Sequence, residues 1–201
     1  MSDKKYRVNE IFYSLQGEGI RAGSANFFVR FTACNQTCKI ETHGFDCDTE
    51  FTSGTFMTAE EIEQAILDLN KDCKNIIFTG GEPLLQLDEP LCIYFKERGY
   101  FLAIETNGSL SADGLTLDWI TVSPKVAEHA LRQLTASEVK YVRAKGQGIP
   151  KTKIDSYFFL ISPAFKADGL RKEDLEHCIA LCLENPKWSL SVQQHKIWRV
   201  R

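Results

Sequence analysis

The chain has 201 residues, about 1.3 times a typical domain of roughly 150, which favours one domain (1–201) with a single core. Lys and Arg number 24 against 27 Asp and Glu, for a net charge of −3; with 43% hydrophobic and 25% charged residues, this composition excludes disordered and collagen-like chains and disfavours nucleic acid as a partner. No apolar run reaches the eighteen or so residues of a membrane span and the start, MSDKKYRVNE, lacks a secretory apolar core, so a cytoplasmic protein without membrane association is expected.

In chain order, short β-branched or aromatic stretches predict strands at Asn26–Phe31, Asn75–Phe78, Tyr100–Ile104, Trp119–Val122, Val139–Val142, Tyr157–Ile161 and Ser189–Val192. Between them lie three helical patterns. Thr58 and Glu61 form a capping box ahead of Ile62, Ala65, Ile66 and Leu69; Leu85–Arg98 ends at Gly99; and Lys172–Leu183 carries a stripe of Leu175, Cys178, Ile179 and Cys182. Alternating strands and helices predict an α/β fold with a mostly parallel sheet, whose chemistry collects at the carboxyl ends of the strands. There is no internal repeat and no linker.

Seven cysteines suit a reducing compartment only as metal ligands, reactive groups or packed thiols. Cys34, Cys38 and Cys47 share one loop after the strand NFFVRF, spaced C-x3-C-x8-C. Three thiolates with no fourth ligand would wrap a soft metal centre and leave one position open, as catalysis requires. His43 in the same loop keeps a Cys3His structural zinc open as an alternative, and three unrelated thiols are the blander one. Downstream, strand ends carry polar clusters: Thr79-Gly80-Gly81-Glu82-Pro83, where the glycines permit close backbone approach and the acid can receive an ammonium; Glu105-Thr106-Asn107-Gly108; and Ser123-Pro124-Lys125. Trp119, Trp188, Cys73 and Cys92 read as core, and Cys178 with Cys182 as part of an apolar stripe in preference to a helical metal pair.

These features together resemble the radical S-adenosylmethionine (SAM) superfamily, whose usual signature is C-x3-C-x2-C. The second spacing here is six residues longer, which is tolerable because each doubling of loop length costs only about 0.6 kcal/mol of closure entropy. Leu15-Gln16-Gly17-Glu18-Gly19, Cys47-Asp48-Thr49 and Gln194-His195-Lys196 narrow the resemblance to the 7-carboxy-7-deazaguanine synthase family, over Val8 to Arg201.

The resemblance implies a shortened, partial radical SAM (β/α) barrel, a homodimer and a lyase. The family converts 6-carboxy-5,6,7,8-tetrahydropterin into 7-carboxy-7-deazaguanine with loss of ammonia, on the route to queuosine and other deazapurines. Cys34, Cys38 and Cys47 would hold three irons of a 4Fe-4S cluster, the fourth being chelated by SAM. SAM would further meet Gly80, Gly81 and Glu82, Asp46 and Asp48 around the last cysteine, Ser123, Pro124 and Lys125, and Ser162, Pro163, Ala164 and Phe165, where the family usually begins Gln-Pro. Leu15, Gln16, Gly17, Glu18, Arg30, Thr79, Glu105, Asn107, His195 and Arg201 would bind the pterin. Thr49 would ligate Mg2+, an ion that keeps its waters and borrows ligands from a substrate carboxylate. A one-electron donor such as flavodoxin is implied as a partner.

For individual residues there are ordinary readings too: Arg30 as a surface cation, Glu105 as a helix cap, His195 as a solvated tail residue. For the whole chain the competing readings are a glycyl-radical-enzyme activase, which the LQGEG and CDT segments disfavour, and a zinc-stabilised binding module without catalysis.

Overall fold

A computed structural model describes residues 4–39, 50–166 and 169–201. The chain opens on β1 (Tyr6–Leu15) and β2 (Ala25–Phe31), followed by β3 (Thr55–Met57), α1 (Ala59–Leu69), β4 (Asn75–Gly80), α2 (Glu89–Lys96), β5 (Phe101–Thr106) and β6 (Trp119–Val122). The second half holds β7 (Thr135–Arg143), β8 (Asp155–Pro163), a small hairpin of β9 (Phe165–Lys166) and β10 (Gly169–Leu170), α3 (Lys172–Glu184), β11 (Trp188–Leu190) and α4 (Gln194–Trp198). The main sheet runs β11-β8-β7-β6-β5-β4-β2-β1-β3. Every pairing from β2 to β11 is parallel, and only the β1 and β3 edge is antiparallel. Strands that succeed one another in a single direction make an α/β partial barrel with a mostly parallel sheet. Among the described residues, no helix is long and apolar enough to cross a membrane.

Local sequence explains the helices. The Thr58 side chain caps Glu61 N–H while the Glu61 carboxylate receives the Thr58 N–H, the reciprocal box expected at the start of α1. The predicted helix Leu85–Arg98 is corrected: a single 3-10 turn covers Pro83–Leu85, and α2 begins only after Asp88, which caps Leu91 N–H. Pro90 dictates this, because proline is at home in a first turn and would break a helix running through it from Leu85. On α3 the buried positions are Asp174, Cys178 and Leu181, and Ile179 is exposed. The stripe is rotated because the Asp174 carboxylate turns inward to accept Lys145 N–H at 2.7 Å and pair with Arg171 at 3.2 Å. Leu69 is likewise exposed, and the last strand is Trp188–Leu190, not Ser189–Val192.

The sheet's two faces divide the labour. Outward residues Phe27, Val29, Phe31, Ile76, Phe78, Leu102 and Ile104 pack against Ile62 and Ile66 of α1 and Leu91 and Phe95 of α2. A second outer cluster joins Val139, Tyr141 and Ile161 to Cys178 and Trp188. On the inner face a layer of Phe12, Phe28, Ile77 and Ala103, with Trp119 against it, forms the floor. Two residues beyond Phe28, Ile77, Ala103 and Trp119 the same face becomes polar, at Arg30, Thr79, Glu105 and Thr121, and on β7 both Glu138 and Lys140 on that face are polar; Arg30 sits in register with Thr79, and Glu105 with Thr121. Strand alternation thus turns one residue pair per strand into a floor tile and a wall group.

Ile66 is fully buried in the outer cluster, so Ile66→Ala should cost about 3 kcal/mol of stability by the lost transfer energy and the cavity left behind. Urea denaturation should show a lower midpoint with an unchanged slope.

Candidate active site

A cavity of about 490 Å³ opens on the inner face at the carboxyl ends of the parallel strands. Its rim begins with the loop after β2, which carries Cys34 and Cys38, both lining the cavity. Ala33 enters that loop with φ at 70°, a conformation costly for a residue with a side chain. Its neighbours hold it there: Ala33 N–H donates to Phe51 O at 2.8 Å, and Glu82 N–H donates to Ala33 O at 2.9 Å. Gly81 makes this possible, since a Cβ there would fall on the Ala33 carbonyl. The glycines expected to admit a ligand therefore first admit the backbone of the cysteine loop. Gln36 N–H donates to the Cys34 sulfur at 3.4 Å.

Glu82 does not line the cavity as expected of an acid receiving an ammonium. Fully buried, it accepts from Thr106 Oγ1 at 2.8 Å, Asn107 N–H at 2.8 Å and Leu84 N–H at 3.1 Å, bolting the β4 end to the β5 end. Burial pushes its carboxyl above the ordinary value although these donors pull the other way. Asn107 in turn donates to Asn35 Oδ1 at 3.0 Å, fastening the cysteine loop to β5. Ser123 and Lys125 continue the rim, with Lys125 Nζ donating to Ser123 Oγ at 3.0 Å. Ser162, Pro163 and Phe165 close it, the first two already within β8. Pro124 and Ala164 are not among the lining residues; Ala164 is buried and donates its N–H to Arg143 O. Asp46, Cys47, Asp48 and Thr49 lie outside the described residues.

The opposite wall is the loop between β1 and β2, with Leu15, Gln16, Gly17 and Glu18 on the cavity. Gln16 Nε2 donates to Glu105 Oε1 at 2.8 Å. Glu18 forms an ion pair with Lys140 and also accepts from Gln193 Nε2 at 2.8 Å. Burial raises the Glu18 carboxyl, but the charge and hydrogen bond of Lys140, with help from Gln193 and His195, outweigh it and hold Glu18 at about 2. For Lys140 burial acts downward and is overcome by Glu18, Glu105 and Glu138, so its ammonium persists above the usual lysine range. His195 lies against Gly17, where any Cβ would overlap it, and burial keeps its imidazole below the ordinary histidine value. Arg30, Thr79, Glu105, Asn107, His195 and Arg201 all reach the same cavity.

Sequence reasoning missed Lys140 and Gln193. Lys140 was visible as a charge inside the apolar run EVKYV, where a half-buried strand alternates. Gln193 carried no signal apart from its neighbours; its amide oxygen is buried with no hydrogen-bond donor among the described residues, which leaves an acceptor for a ligand.

Residues 29–144 match the radical SAM superfamily. A 7-carboxy-7-deazaguanine synthase of Bradyrhizobium diazoefficiens is 38% identical over 98% of this chain and 99% of its own, and one of Bacteroides thetaiotaomicron is 37% identical over 97% and 98%. The chain belongs to the 7-carboxy-7-deazaguanine synthase family. It is a radical SAM enzyme, and family membership implies dependence on a 4Fe-4S cluster and SAM. The fold agrees: the crystal structure of QueE from Escherichia coli superposes with a TM-score of 0.70 over 95% of both chains, at 21% identity. Two thiols on a loop fixed at the cavity rim, that of Cys34 accepting a backbone N–H, suit the soft ligand set such a synthase needs.

Two outcomes follow. Gly81→Ala should displace the cysteine loop and lower the iron content of reconstituted protein, measured by a colorimetric iron assay, whereas Gly148→Ala, with no atom within 4 Å of its new carbon, should leave iron unchanged. Lys140→Met removes the cation that holds Glu18 down, so burial should lift that carboxyl above its ordinary 4.5. Wild-type stability drawn from Glu18 is present above pH 4.5 and lost as pH falls towards about 2. In the variant the sign reverses: the raised carboxyl destabilises the fold at neutral pH and that cost is relieved as pH falls through it, read as a thermal unfolding temperature lowered most at about pH 7 and converging on wild type towards acid pH.

Proposed function

We propose that the chain converts 6-carboxy-5,6,7,8-tetrahydropterin into 7-carboxy-7-deazaguanine with release of ammonia, supplying the route to queuosine and other 7-deazapurines. The observation that carries this reading is the convergence of Gln16, Glu18, Arg30, Thr79, Glu105 and His195 on the cavity that Cys34 and Cys38 line, in a chain similar along its whole length to synthases of that name. Substrate and product differ by one molecule of ammonia, so turnover needs no net oxidant.

Cys34, Cys38 and Cys47 would hold the cluster, and Gly80, Gly81, Ser123, Lys125 and the Ser162–Phe165 segment would seat SAM beside it. When bound, this pair supplies one-electron cleavage of SAM and a 5'-deoxyadenosyl radical able to abstract hydrogen from the pterin. The protein's own part is to hold and exclude. Glu18 and Glu105 present acceptors suited to the N–H groups of an amino-pyrimidine edge, and both stay where they are because Lys140 and Gln16 bind their other sides. Arg30 offers a planar fork to an anionic group. Neutral His195, packed on Gly17, covers the ring and keeps water out. Thr49 would contribute a hydroxyl to Mg2+, with the substrate carboxylate completing the shell. A homodimer, a flavodoxin-type electron donor and a cytoplasmic setting complete the proposal.

Anaerobically reconstituted protein given SAM, a reductant and the carboxypterin should form a new deazapurine absorbance and an equal amount of ammonia. No product under these conditions, with activity only towards a protein substrate, would replace this reading by the activase one. Cys34→Ala and Cys38→Ala should each abolish the brown iron-sulfur absorbance; an unchanged iron count in either variant removes that residue from the ligand set.

A further inference from the structure

Along β1 the side chains change faces part-way. Tyr6 and Val8 point outward into the core, whereas Glu10 and Phe12, at the same two-residue spacing, line the cavity. A bulge causes the switch: between Val8, opposite Phe31, and Glu10, opposite Arg30, β1 advances two residues while β2 advances one. Without that extra residue Glu10 would continue the outward row. The bulge therefore delivers a carboxylate directly across from Arg30.

Two guanidinium groups meet there. Glu10 Oε1 pairs with Arg30 Nε at 3.3 Å, and Glu10 Oε2 with the Arg201 guanidinium. Both cations lie on the ring of Phe12, at 5.6 Å and 5.1 Å from its centre, and that ring stacks on Phe28 at 4.9 Å. Arg201 belongs to a short segment after α4 that turns back at Arg199, in the left-handed region with φ at 57°. Val200 N–H donates to His195 O at 3.1 Å, and Arg201 O accepts from Ser14 Oγ at 2.7 Å. Among the described residues, Glu10 ties this segment to β1 together with that serine and the Phe12 ring. Arg30 Nε is buried without a well-aligned hydrogen bond among the described residues, so its grip on Glu10 is the looser of the two.

We infer that Glu10 is a positioning residue: it orients Arg30 and fastens the Val200–Arg201 segment as one wall of the substrate pocket. Two guanidinium groups held at this corner by one carboxylate present N–H donors that fit an anionic substituent on a flat ring. The inference rests on the proposed pterin reaction for its substrate and on the structure alone for the tether.

Glu10→Gln keeps size and removes the charge. Relative to wild type it should raise KM for the carboxypterin about tenfold and change kcat less than about twofold, since the lost contact is a charge-assisted one made in binding. Trypsin should cut after Arg199 faster in the variant, scored by mass spectrometry, and saturating carboxypterin should protect wild type more than the variant. Glu10→Asp should recover part of both effects. The Glu10→Gln and Arg201→Ala changes in KM should be less than additive when combined. With wild type active, an unchanged KM, an unchanged tryptic rate or full additivity would overturn the inference. If wild type does not turn over the pterin, the proposed reaction falls, and the tryptic comparison of Glu10→Gln with wild type still decides the tether. Thermal unfolding of both variants at the wild-type temperature ensures that any loss is local.

Discussion

A sheet wound in one direction but not closed has an inner face with nothing to cover it, and this molecule depends on the loop between β1 and β2 to supply the cover. That loop leaves one edge of the sheet and is bonded to the other: Gly17 O accepts from Gln194 N–H at 2.8 Å, Gly19 N–H donates to Ser191 Oγ at 2.9 Å, and Ile20 N–H donates to Glu138 Oε2 at 2.8 Å. The Glu18–Lys140 ion pair lies between these bonds. Four tethers from a short stretch span the gap that additional strands would fill in a full barrel. The groups proposed to bind substrate and those that close the fold are then the same residues, and the strap supplies one wall of the cavity.

The electrostatics follow from that arrangement. Desolvated carboxylates are costly unless paired, and the strap brings Glu18 to Lys140 and the backbone of Ile20 to Glu138. Glu138 also accepts from Thr121 Oγ1 at 2.9 Å, yet burial still raises its carboxyl. Glu18 and Glu138 are pushed in opposite directions although they come within reach of one lysine, because Glu18 holds the ammonium directly and Glu138 holds neutral donors. Such separation of two neighbouring acids leaves Glu18 a fixed anion on the cavity and Glu138, which does not line it, an acid closer to neutrality.

Much of this was legible in the sequence, and the exceptions have physical causes. All seven predicted strands exist, because buried parallel strands are short β-branched or aromatic runs, and the polar clusters fall at their carboxyl ends. β1 escaped notice since its bulge interrupts the alternation that marks a half-buried strand. The early start predicted for α2 ignored Pro90, and the stripe of α3 was misplaced because a buried aspartate occupies a position that hydrophobicity assigns to solvent. In the site, the strand residues Arg30, Thr79 and Glu105, which the family resemblance covers, reach the cavity as expected, whereas Lys140 within β7 was not anticipated. Lys140 lies far from any motif and Gln193 just outside Gln194-His195-Lys196, and only topology brings them to Glu18.

The two glycines of the Thr79–Pro83 segment show how a motif can be right about place and incomplete about reason. Close approach was expected of a ligand, but the atom that forbids a side chain at Gly81 belongs to Ala33. Glu82, from the same motif, spends its carboxylate on Thr106, Asn107 and Leu84. The segment is therefore a joint among three strand ends before it is a binding surface: it sets where the cysteine loop departs from β2 and where Asn107 stands on β5. The strained loop needs such a joint, because the left-handed Ala33 would relax if Glu82 N–H, just beyond β4, did not hold its carbonyl. Geometry at the sulfur atoms is thus inherited from hydrogen bonds two strands away.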